Sequence, residues 1–387
     1  MLILIRNFTV VSLLVFVLSF TSKAISEPSV SATSAILIDA DTAEILYEKN
    51  AYEKRSMAST TKIMTGIIAV ESGMLNETVT VTEKPYIEGT AIGFNKGDKL
   101  TLKDLCYALL LESGNDAALL ISRYFSGTED DFSLLMNEKA VEIGMKSTNF
   151  VTASGLDADE HYTTAYDMAL LGAYAVKNRD FREICSSKSY KAEYIEPQIT
   201  RYFSNHNRLL SSCDGAIGIK TGFTKKSGRC LVSACEREGK KLVAVTLNAP
   251  DDWNDHEKLY SYGYSLYEQK SLELDIPSEI IVKGSDKTNI KTGNPSSISV
   301  KALKNSTLTV KILLNKIIYA PVKKQDVLGG IIVSQNGKCI KRFDIVSLED
   351  ADIKQDYIIY KPTLFQRIAD YIKHIFSKER QIEYDRR

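Results

Sequence analysis

Strand-like segments stand at both ends of a long helical region, and this arrangement limits the folds open to the chain. AILIDADTAEILYE begins at Ala35, and CLVSACERE is followed by KKLVAVTLNA with Glu238-Gly239 between them. Each group has the pattern of a β-hairpin. Over about residues 75–177, apolar residues recur at spacings of three and four, which is typical of amphipathic helices. We therefore predict an α+β domain whose sheet pairs N-terminal with C-terminal strands.

A change of composition near residue 271 indicates a second domain. Short alternating runs rich in Ile, Val, Lys, Asn and Ser follow, namely EIIVKG, SISVKAL, LTVKILL and GIIVSQNGKCIKRFDIV. The last run carries Asn336-Gly337, the strongest short hairpin signal. We predict a small all-β domain over residues 272–361, after a first domain over 25–271. A chain of 387 residues with 44% apolar residues is long enough to build two cores.

Both termini carry segments typical of proteins that meet a membrane. Residues 1–24 combine Arg6, an apolar run and the small-x-small pattern Ser22-Lys23-Ala24, which predicts a secretory signal peptide. A buried or membrane-spanning helix is the alternative there. Residues 362–387 predict an amphipathic helix with an aromatic-rich apolar face that lies on a membrane surface, unless it packs on the β domain. We expect an exported protein at the outer face of the cytoplasmic membrane, or partly secreted.

Charge and metal-ligand patterns exclude several classes of function. Lys and Arg number 49 and Asp and Glu also number 49, so no strong field favours nucleic acid as a partner. The four histidines and six cysteines form no spacing typical of a zinc site. Cys230 and Cys235 stand an odd number of residues apart in a predicted strand, so they face opposite sides and should not bridge each other.

A serine and a lysine stand three residues apart at the start of a predicted helix. In SMASTTKIMTGIIAVESG, Ser59 and Lys62 fall on the same helical face. A lysine can take the proton of a serine when burial and nearby positive charge lower the lysine pKa. By itself the pair also fits a capping serine followed by an exposed lysine.

Two further motifs complete a known signature. Ser113-Gly114-Asn115 interrupts two apolar helical runs, and Lys220-Thr221-Gly222 precedes a strand-turn-strand segment. Ser-x-x-Lys, Ser-x-Asn and Lys-Thr-Gly in this order are the signature of the penicillin-binding protein and serine β-lactamase superfamily. With SMASTTKIMT, LLLESGNDAA, NRLL and DGAIGIKTGFTKKSGRCLVSA, the chain resembles the low-molecular-weight penicillin-binding proteins that are D-alanyl-D-alanine carboxypeptidases. The resemblance covers nearly all of the chain after residue 33.

The resemblance implies a transpeptidase-like fold with helices on both faces of the sheet, and a role for each motif residue. Ser59 would attack the carbonyl between the two D-alanines that end a peptidoglycan stem peptide, and Lys62 would take its proton. Ser113 would relay a proton to the leaving amine, and Asn115 would hold the substrate amide and Lys62. Water would then release the acyl group, and no metal or cofactor is implied.

The resemblance also implies how the substrate is bound. Lys220 and Thr221 would bind its terminal carboxylate, and Gly222 would let its backbone approach the strand. The backbone N–H groups of Ser59 and Phe223 would form the oxyanion hole. β-Lactams would be covalent inhibitors that acylate Ser59.

One position departs from the pattern of some relatives. LNAPDDWNDHEKLY lacks the arginine that supplies a second carboxylate contact in some carboxypeptidases of this group. Arg208 and Lys225 are the candidates for that contact here.

Two other stretches attract notice but are expected to be structural. A second Lys-Thr-Gly, at residues 291–293, leads into Asn-Pro-Ser-Ser and has no Ser-x-x-Lys partner in its domain, so we expect it to lie in a loop. FVTASGLDADEHYTTAYD contains His161 and several carboxylates. It could form a triad or a metal site, but we favour a connecting loop that frames the cleft.

Other functions remain open from the sequence alone. A class A β-lactamase would have Ser-Asp-Asn in the middle motif and a Glu-x-x-x-Asn loop, whereas this chain has Ser-Gly-Asn and no such loop between Asn115 and Lys220. A D,D-endopeptidase that acts on crosslinks would share the fold and the motifs. A non-catalytic cell-wall binding protein would not need to keep all of the reactive side chains.

Overall fold

The protein is described by a computed structural model that covers residues 26–293 and 295–354, together with Gln366. The chain divides into two compact units between Leu266 and Tyr267. The predicted signal peptide lies outside the described residues, as does the predicted terminal helix apart from Gln366. Within the described parts of the chain, no helix has the length and apolar character needed to cross a membrane.

The first unit combines strands and helices. Its strands are β1 (Ser34–Asp39), β2 (Ile45–Lys49), β3 (Thr78–Thr80), β4 (Lys99–Thr101), β5 (Ser189–Glu193), β6 (Thr200–Ser204), β7 (Ala216–Thr224), β8 (Gly228–Arg237) and β9 (Lys240–Leu247). Its helices are α1 (Lys62–Glu71), α2 (Leu102–Leu110), α3 (Asn115–Ser126), α4 (Glu129–Ile143), α5 (Ala165–Ala175), α6 (Arg179–Ser186), α7 (Leu209–Ser212) and α8 (Asp252–Ser265), with a 3₁₀ turn, η1 (Ala58–Thr61), before α1.

The main sheet joins the two ends of this unit, as the sequence predicted. Its strand order is β2-β1-β9-β8-β7, and β1 pairs antiparallel with β9 over residues distant in sequence. Both predicted hairpins are confirmed. The second turns at Glu238 and Gly239, whose φ angles of 49° and 73° match the left-handed conformations of a tight hairpin turn.

Helices cover both faces of this sheet. On one face Gly172 of α5 packs so closely that an added Cβ would lie 3.1 Å from the Val243 side chain. On the other face Gly263 of α8 approaches Leu242, the preceding residue of β9, in the same way. Because successive residues of a strand point to opposite faces, the two helices must lie on opposite sides. The predicted α+β class is confirmed.

One hairpin of the first unit was not predicted. β5 and β6 pair with each other, and only Ala192 and Phe203 are buried within them. Most of their other side chains are polar and exposed, so the segment lacks the apolar alternation that makes a strand visible in sequence.

The second unit, by itself, is built from strands. They are β10 (Tyr267–Glu273), β11 (Glu279–Lys283), β12 (Asn289–Gly293), β13 (Ser297–Leu303), β14 (Leu308–Leu314), β15 (Ile317–Tyr319), β16 (Val327–Gln335) and β17 (Lys338–Ser347). A six-stranded sheet has the order β14-β16-β17-β12-β11-β15, and β10 pairs with β13. The predicted hairpin at Asn336-Gly337 is confirmed. The sequence-based boundary at residues 271/272 falls inside β10.

The second Lys-Thr-Gly is in a strand, so the prediction of a loop was wrong. Lys291 and Gly293 belong to β12, where Lys291 pairs with Glu279 of β11 and Gly293 pairs with Val346 of β17. Ile290 and Thr292 are buried while Lys291 is exposed, an alternation typical of a strand with one buried face. β12 ends at Gly293.

Candidate active site

The serine turn and the helix after it bring the first pair of site residues together. Ser59 lies in η1, and Lys62 is the first residue of α1. Ala58 has a φ of 48°, an unfavourable conformation for a residue with a side chain. Lys62 Nζ lies 2.9 Å from Ser59 Oγ, the contact that the spacing of the motif predicted.

Lys62 is completely buried and surrounded by oxygen atoms. Besides Ser59, its amine contacts Asn115 Oδ1 and the carbonyl oxygen of Ser154, both at 2.6 Å. Burial and, second, the charge of Lys220 lower the lysine pKa well below its usual value, against smaller opposing effects of acidic residues nearby. The amine is therefore poised to accept a proton.

The neutral form of Lys62 suits this arrangement. A neutral amine has two N–H donors, which can serve Asn115 Oδ1 and the Ser154 carbonyl, while its lone pair faces the Ser59 hydroxyl. The Ser59 proton can then pass to the amine without a change of partners. This is the geometry required of a general base.

The second motif lies between α2 and α3. Asn115 starts α3 and is buried; its Nδ2 donates to the Glu88 carbonyl at 2.7 Å, which orients Oδ1 toward Lys62. Ser113 has a φ of 64° and lines the same cleft as Ser59. A Cβ on Gly114 would lie 2.7 Å from the Ile92 side chain, so a glycine is needed between the two polar residues.

The third motif lies on β7, the edge strand of the sheet. Lys220 is buried, and its Nζ donates to the Thr221 carbonyl at 3.0 Å. Burial lowers the pKa of Lys220 to about 7. A Cβ on Gly222 would lie only 3.1 Å from the backbone nitrogens of Ser59 and Thr60, so this glycine allows β7 to lie against the serine turn.

An open cleft of about 360 Å³ connects these elements. The predicted residues that line it are Ser59, Ser113, Arg208, Thr221, Gly222 and Phe223; the others are Thr90, His206, Arg229, Asp252 and Trp253. Phe223 is 65% exposed at its edge. Lys62, Asn115 and Lys220 are buried behind the cleft, so all eight predicted site residues lie in or next to it. Lys225 is not among the lining residues.

Sequence reasoning missed a cation that the cleft contains. Arg229 stands on β8, opposite Phe223 of β7. Its Nε and Nη2 donate to Asp252 Oδ1 at 3.1 and 2.7 Å, and its guanidinium lies 5.6 Å from the Trp253 ring centre. Together with Arg208 it supplies positive charge to the cleft, although LNAPDDWNDHEKLY contains no arginine.

The loop around residues 151–161 supports the serine turn. A Cβ on Gly155 would lie 2.0 Å from the Ala58 carbonyl oxygen, so the loop and the turn are in close contact. His161 Nε2 lies 2.9 Å from Thr61 Oγ1, and its Nδ1 accepts from the Val151 N–H. Burial lowers the pKa of His161 to about 4, so the ring is neutral and structural.

A serine paired with a buried lysine of lowered pKa, beside a substrate-sized cleft, is typical of enzymes that form an acyl-enzyme intermediate. Comparison with known proteins agrees with this class. Residues 21–251 match the family model described as D-alanyl-D-alanine carboxypeptidase, and residues 264–352 match that of the penicillin-binding protein 5 C-terminal domain.

Individual relatives and solved structures agree. The chain is 31% identical to D-alanyl-D-alanine carboxypeptidase DacC of Escherichia coli, over 92% of this chain and 91% of the relative. It is 29% identical to DacF of Bacillus subtilis, over 85% and 88%. Penicillin-binding protein 5 of Haemophilus influenzae superposes with a TM-score of 0.60 at 26% identity, covering 84% of this chain and 99% of that one. The chain belongs to the D-alanyl-D-alanine carboxypeptidase family of serine hydrolases.

Proposed function

We propose that this protein removes the terminal D-alanine from peptidoglycan stem peptides through an acyl-enzyme on Ser59. The observation that carries the proposal is the fully buried Lys62, whose amine lies 2.9 Å from Ser59 Oγ and whose pKa is strongly lowered. Lys62 takes the serine proton as Ser59 Oγ attacks the carbonyl between the two D-alanines. The bond to the terminal D-alanine then breaks, and its amine receives a proton through Ser113.

The remaining residues bind the substrate and stabilise the charge that develops. Asn115 holds Lys62 and the substrate amide, while Lys220 and Thr221 bind the terminal carboxylate. The N–H groups of Ser59 and Phe223 donate to the oxyanion, which costs little reorganisation because both are fixed by the packing of β7 on η1. Water hydrolyses the acyl-enzyme and completes the reaction. β-Lactams acylate the same serine and leave slowly.

The proposed place of action is the outer face of the cytoplasmic membrane, where such stem peptides are found. The pattern of residues 1–24 supports export, and the amphipathic pattern of 362–387 supports contact with a membrane surface. N-terminal sequencing of the protein from whole cells tests export, with Ile25 expected as the first residue. Sedimentation with anionic vesicles, with and without residues 362–387, tests the membrane contact.

The first experiment on activity measures acylation and product together. The protein is incubated with benzylpenicillin for intact mass spectrometry, and D-alanine release is measured from diacetyl-Lys-D-Ala-D-Ala. We expect one drug mass and D-alanine release from the native protein, and neither from Ser59→Ala. Ser211→Ala, which changes an exposed serine outside the cleft, should behave like the native protein. Acylation without D-alanine release would contradict the carboxypeptidase proposal, and acylation of Ser59→Ala would contradict the assigned nucleophile.

A further inference from the structure

Two of the six cysteines meet beside the main sheet. Cys235 lies in β8 and pairs with Ala216, the first residue of β7. Cys213 follows directly after α7, and its carbonyl accepts from the Ala216 N–H at 3.1 Å. The backbone therefore brings Cys213 next to the first pair of the β7–β8 ladder. Neither cysteine lines the active-site cleft.

The two sulfur atoms share their surroundings. Cys235 Sγ lies 3.2 Å from the Asp214 carbonyl oxygen, and Cys213 Sγ lies 3.8 Å from the same oxygen. Each thiol is the largest influence on the pKa of the other, lowering that of Cys235 to about 7 and raising that of Cys213. Because both sulfurs face one carbonyl oxygen, rotation of the two side chains can bring them to the disulfide distance of about 2 Å.

A cation stands against this pair. Arg237 donates from Nη2 to Cys213 Sγ at 3.4 Å and from Nε to the Asp214 carbonyl at 2.9 Å. A neighbouring cation favours the thiolate, which is the nucleophile in thiol–disulfide exchange.

The other buried cysteines have different surroundings. Burial raises the pKa values of Cys106 and Cys185 to about 12 and that of Cys230 to about 11. These thiols are therefore protected from deprotonation, whereas the Cys213–Cys235 pair shares a proton and can carry a negative charge on either sulfur.

We propose that Cys213 and Cys235 form a disulfide when the protein meets a small-molecule disulfide. Cys213, the less buried of the two at 9% exposure, passes its proton to Cys235 and attacks one sulfur of the external disulfide, which releases the first small thiol. Cys235 then attacks Cys213 Sγ in the mixed disulfide and releases the second. Two protein thiols lose two electrons and two protons, and the external disulfide is reduced to two thiols.

The bond would tie the segment before β7 to β8. Since β7 is the edge strand that carries Lys220 and Thr221, its start would then be fixed covalently to its only neighbour in this sheet. The cross-link also restricts the unfolded chain, so the oxidised protein should melt at a higher temperature than the reduced protein, by about 5 °C.

The test counts thiols in the full chain carrying Cys339→Ser, which removes the exposed cysteine of the second unit. One sample is treated with glutathione disulfide and another with dithiothreitol, and each is then unfolded and labelled with N-ethylmaleimide. We expect the oxidised sample to take two fewer labels and to carry no glutathione. Peptide mapping should join Cys213 to Cys235, and the two samples should differ in melting temperature.

Matched variants separate this bond from any other. Cys213→Ala should abolish both the loss of labels and the difference in melting temperature. Cys235→Ala should stop at the mixed disulfide, taking one label fewer and carrying one glutathione, while Cys230→Ala should behave like the parent. The proposal would be overturned by equal label counts in the oxidised and reduced samples that keep both Cys213 and Cys235. A peptide link between any other pair of cysteines would overturn it too. The peptide map of the protein that keeps both Cys213 and Cys235 tests the proposal even if an alanine variant fails to fold.

Discussion

At the scale of single residues, the site depends on two lysines that are buried for different purposes. In the proposed mechanism Lys62 must be neutral to take the Ser59 proton, and Lys220 must be charged to bind a carboxylate. Their mutual repulsion helps to lower the pKa of Lys62, so the charged Lys220 supports the basic function of its neighbour.

Because the two lysines are needed in opposite protonation states, we predict a bell-shaped dependence of kcat/KM on pH. Activity should rise as Lys62 loses its proton, and it should fall above about pH 7, where Lys220 of the free enzyme becomes neutral. The sign follows because Lys220 must keep its proton to attract the anionic substrate. Initial rates at low concentrations of diacetyl-Lys-D-Ala-D-Ala test this, and Lys220→Arg should move the alkaline limb to higher pH. An alkaline limb that stays in place in that variant would show that another group causes it.

The position of Arg229 in the cleft predicts that a variant without its charge loses substrate affinity. Removing its charge with Arg229→Gln should raise KM for the carboxylate-terminated peptide about tenfold, the size of a charge-assisted hydrogen bond, and leave kcat within about twofold. Steady-state kinetics measure this. Arg179→Gln, at an exposed arginine, is the control. A fall in kcat with unchanged KM would argue instead that Arg229 acts in the chemical step.

Some site residues could be predicted from sequence and others could not. Ser59, Lys62 and Asn115 carry side chains whose chemistry and order are distinctive, and the structure brings them together. The Ser154 carbonyl on Lys62 is a backbone atom, which any residue type could supply. Arg229 was missed because a single arginine in a strand has no pattern until the pairing of β7 with β8 places it in the cleft.

At the scale of elements, the contact between β7 and η1 determines the geometry of the cleft. Gly222 lets the edge strand lie against the backbone of Ser59. The hairpins of the main sheet were predictable because their apolar alternation and turn residues are local. The β5–β6 hairpin, which is mostly polar, and the strand position of the second Lys-Thr-Gly depend on tertiary pairing that local patterns do not reveal.

The close approach of β7 to η1 at Gly222 predicts the effect of adding one methyl group there. Gly222→Ala would place Cβ 3.1 Å from Ser59 N and 3.2 Å from Ala58 Cβ, so β7 and η1 must separate by a few tenths of an ångström. We expect kcat/KM and the rate of acylation by penicillin to fall at least tenfold, since small misplacements of reacting groups are costly. The melting temperature should change little. Gly330→Ala, where the nearest atom would be at 3.5 Å, is the control, and normal acylation in Gly222→Ala would contradict this account.

At the scale of the whole molecule, all of the site residues belong to the first unit. The Streptomyces K15 DD-transpeptidase, at 31% identity and a TM-score of 0.58, is covered over its full length by 62% of this chain. A relative with this fold can therefore exist without a counterpart of the second unit.

A chain that ends at Leu266 should accordingly keep its activity. We expect kcat/KM for diacetyl-Lys-D-Ala-D-Ala within about threefold of the full chain, because every residue that lines the cleft is retained. Kinetics of the two purified proteins test this, with circular dichroism as the check that the shorter chain is folded. A folded but inactive shorter chain would show that the second unit contributes to the site.

The pairing of β1 with β9 has a consequence for how the molecule is made. On one side β1 pairs with its neighbour in sequence, β2, but on the other its partner is β9, about 200 residues later in the chain. This half of its pairing must therefore wait until the later strand has been made. The helix that carries Lys62 emerges early, but the strand it packs against, β7, follows more than 140 residues later. Folding of the first unit must therefore await nearly its whole length, and such distant contacts slow folding. During that interval its apolar strands are unpaired, which is the condition in which such segments are prone to aggregate.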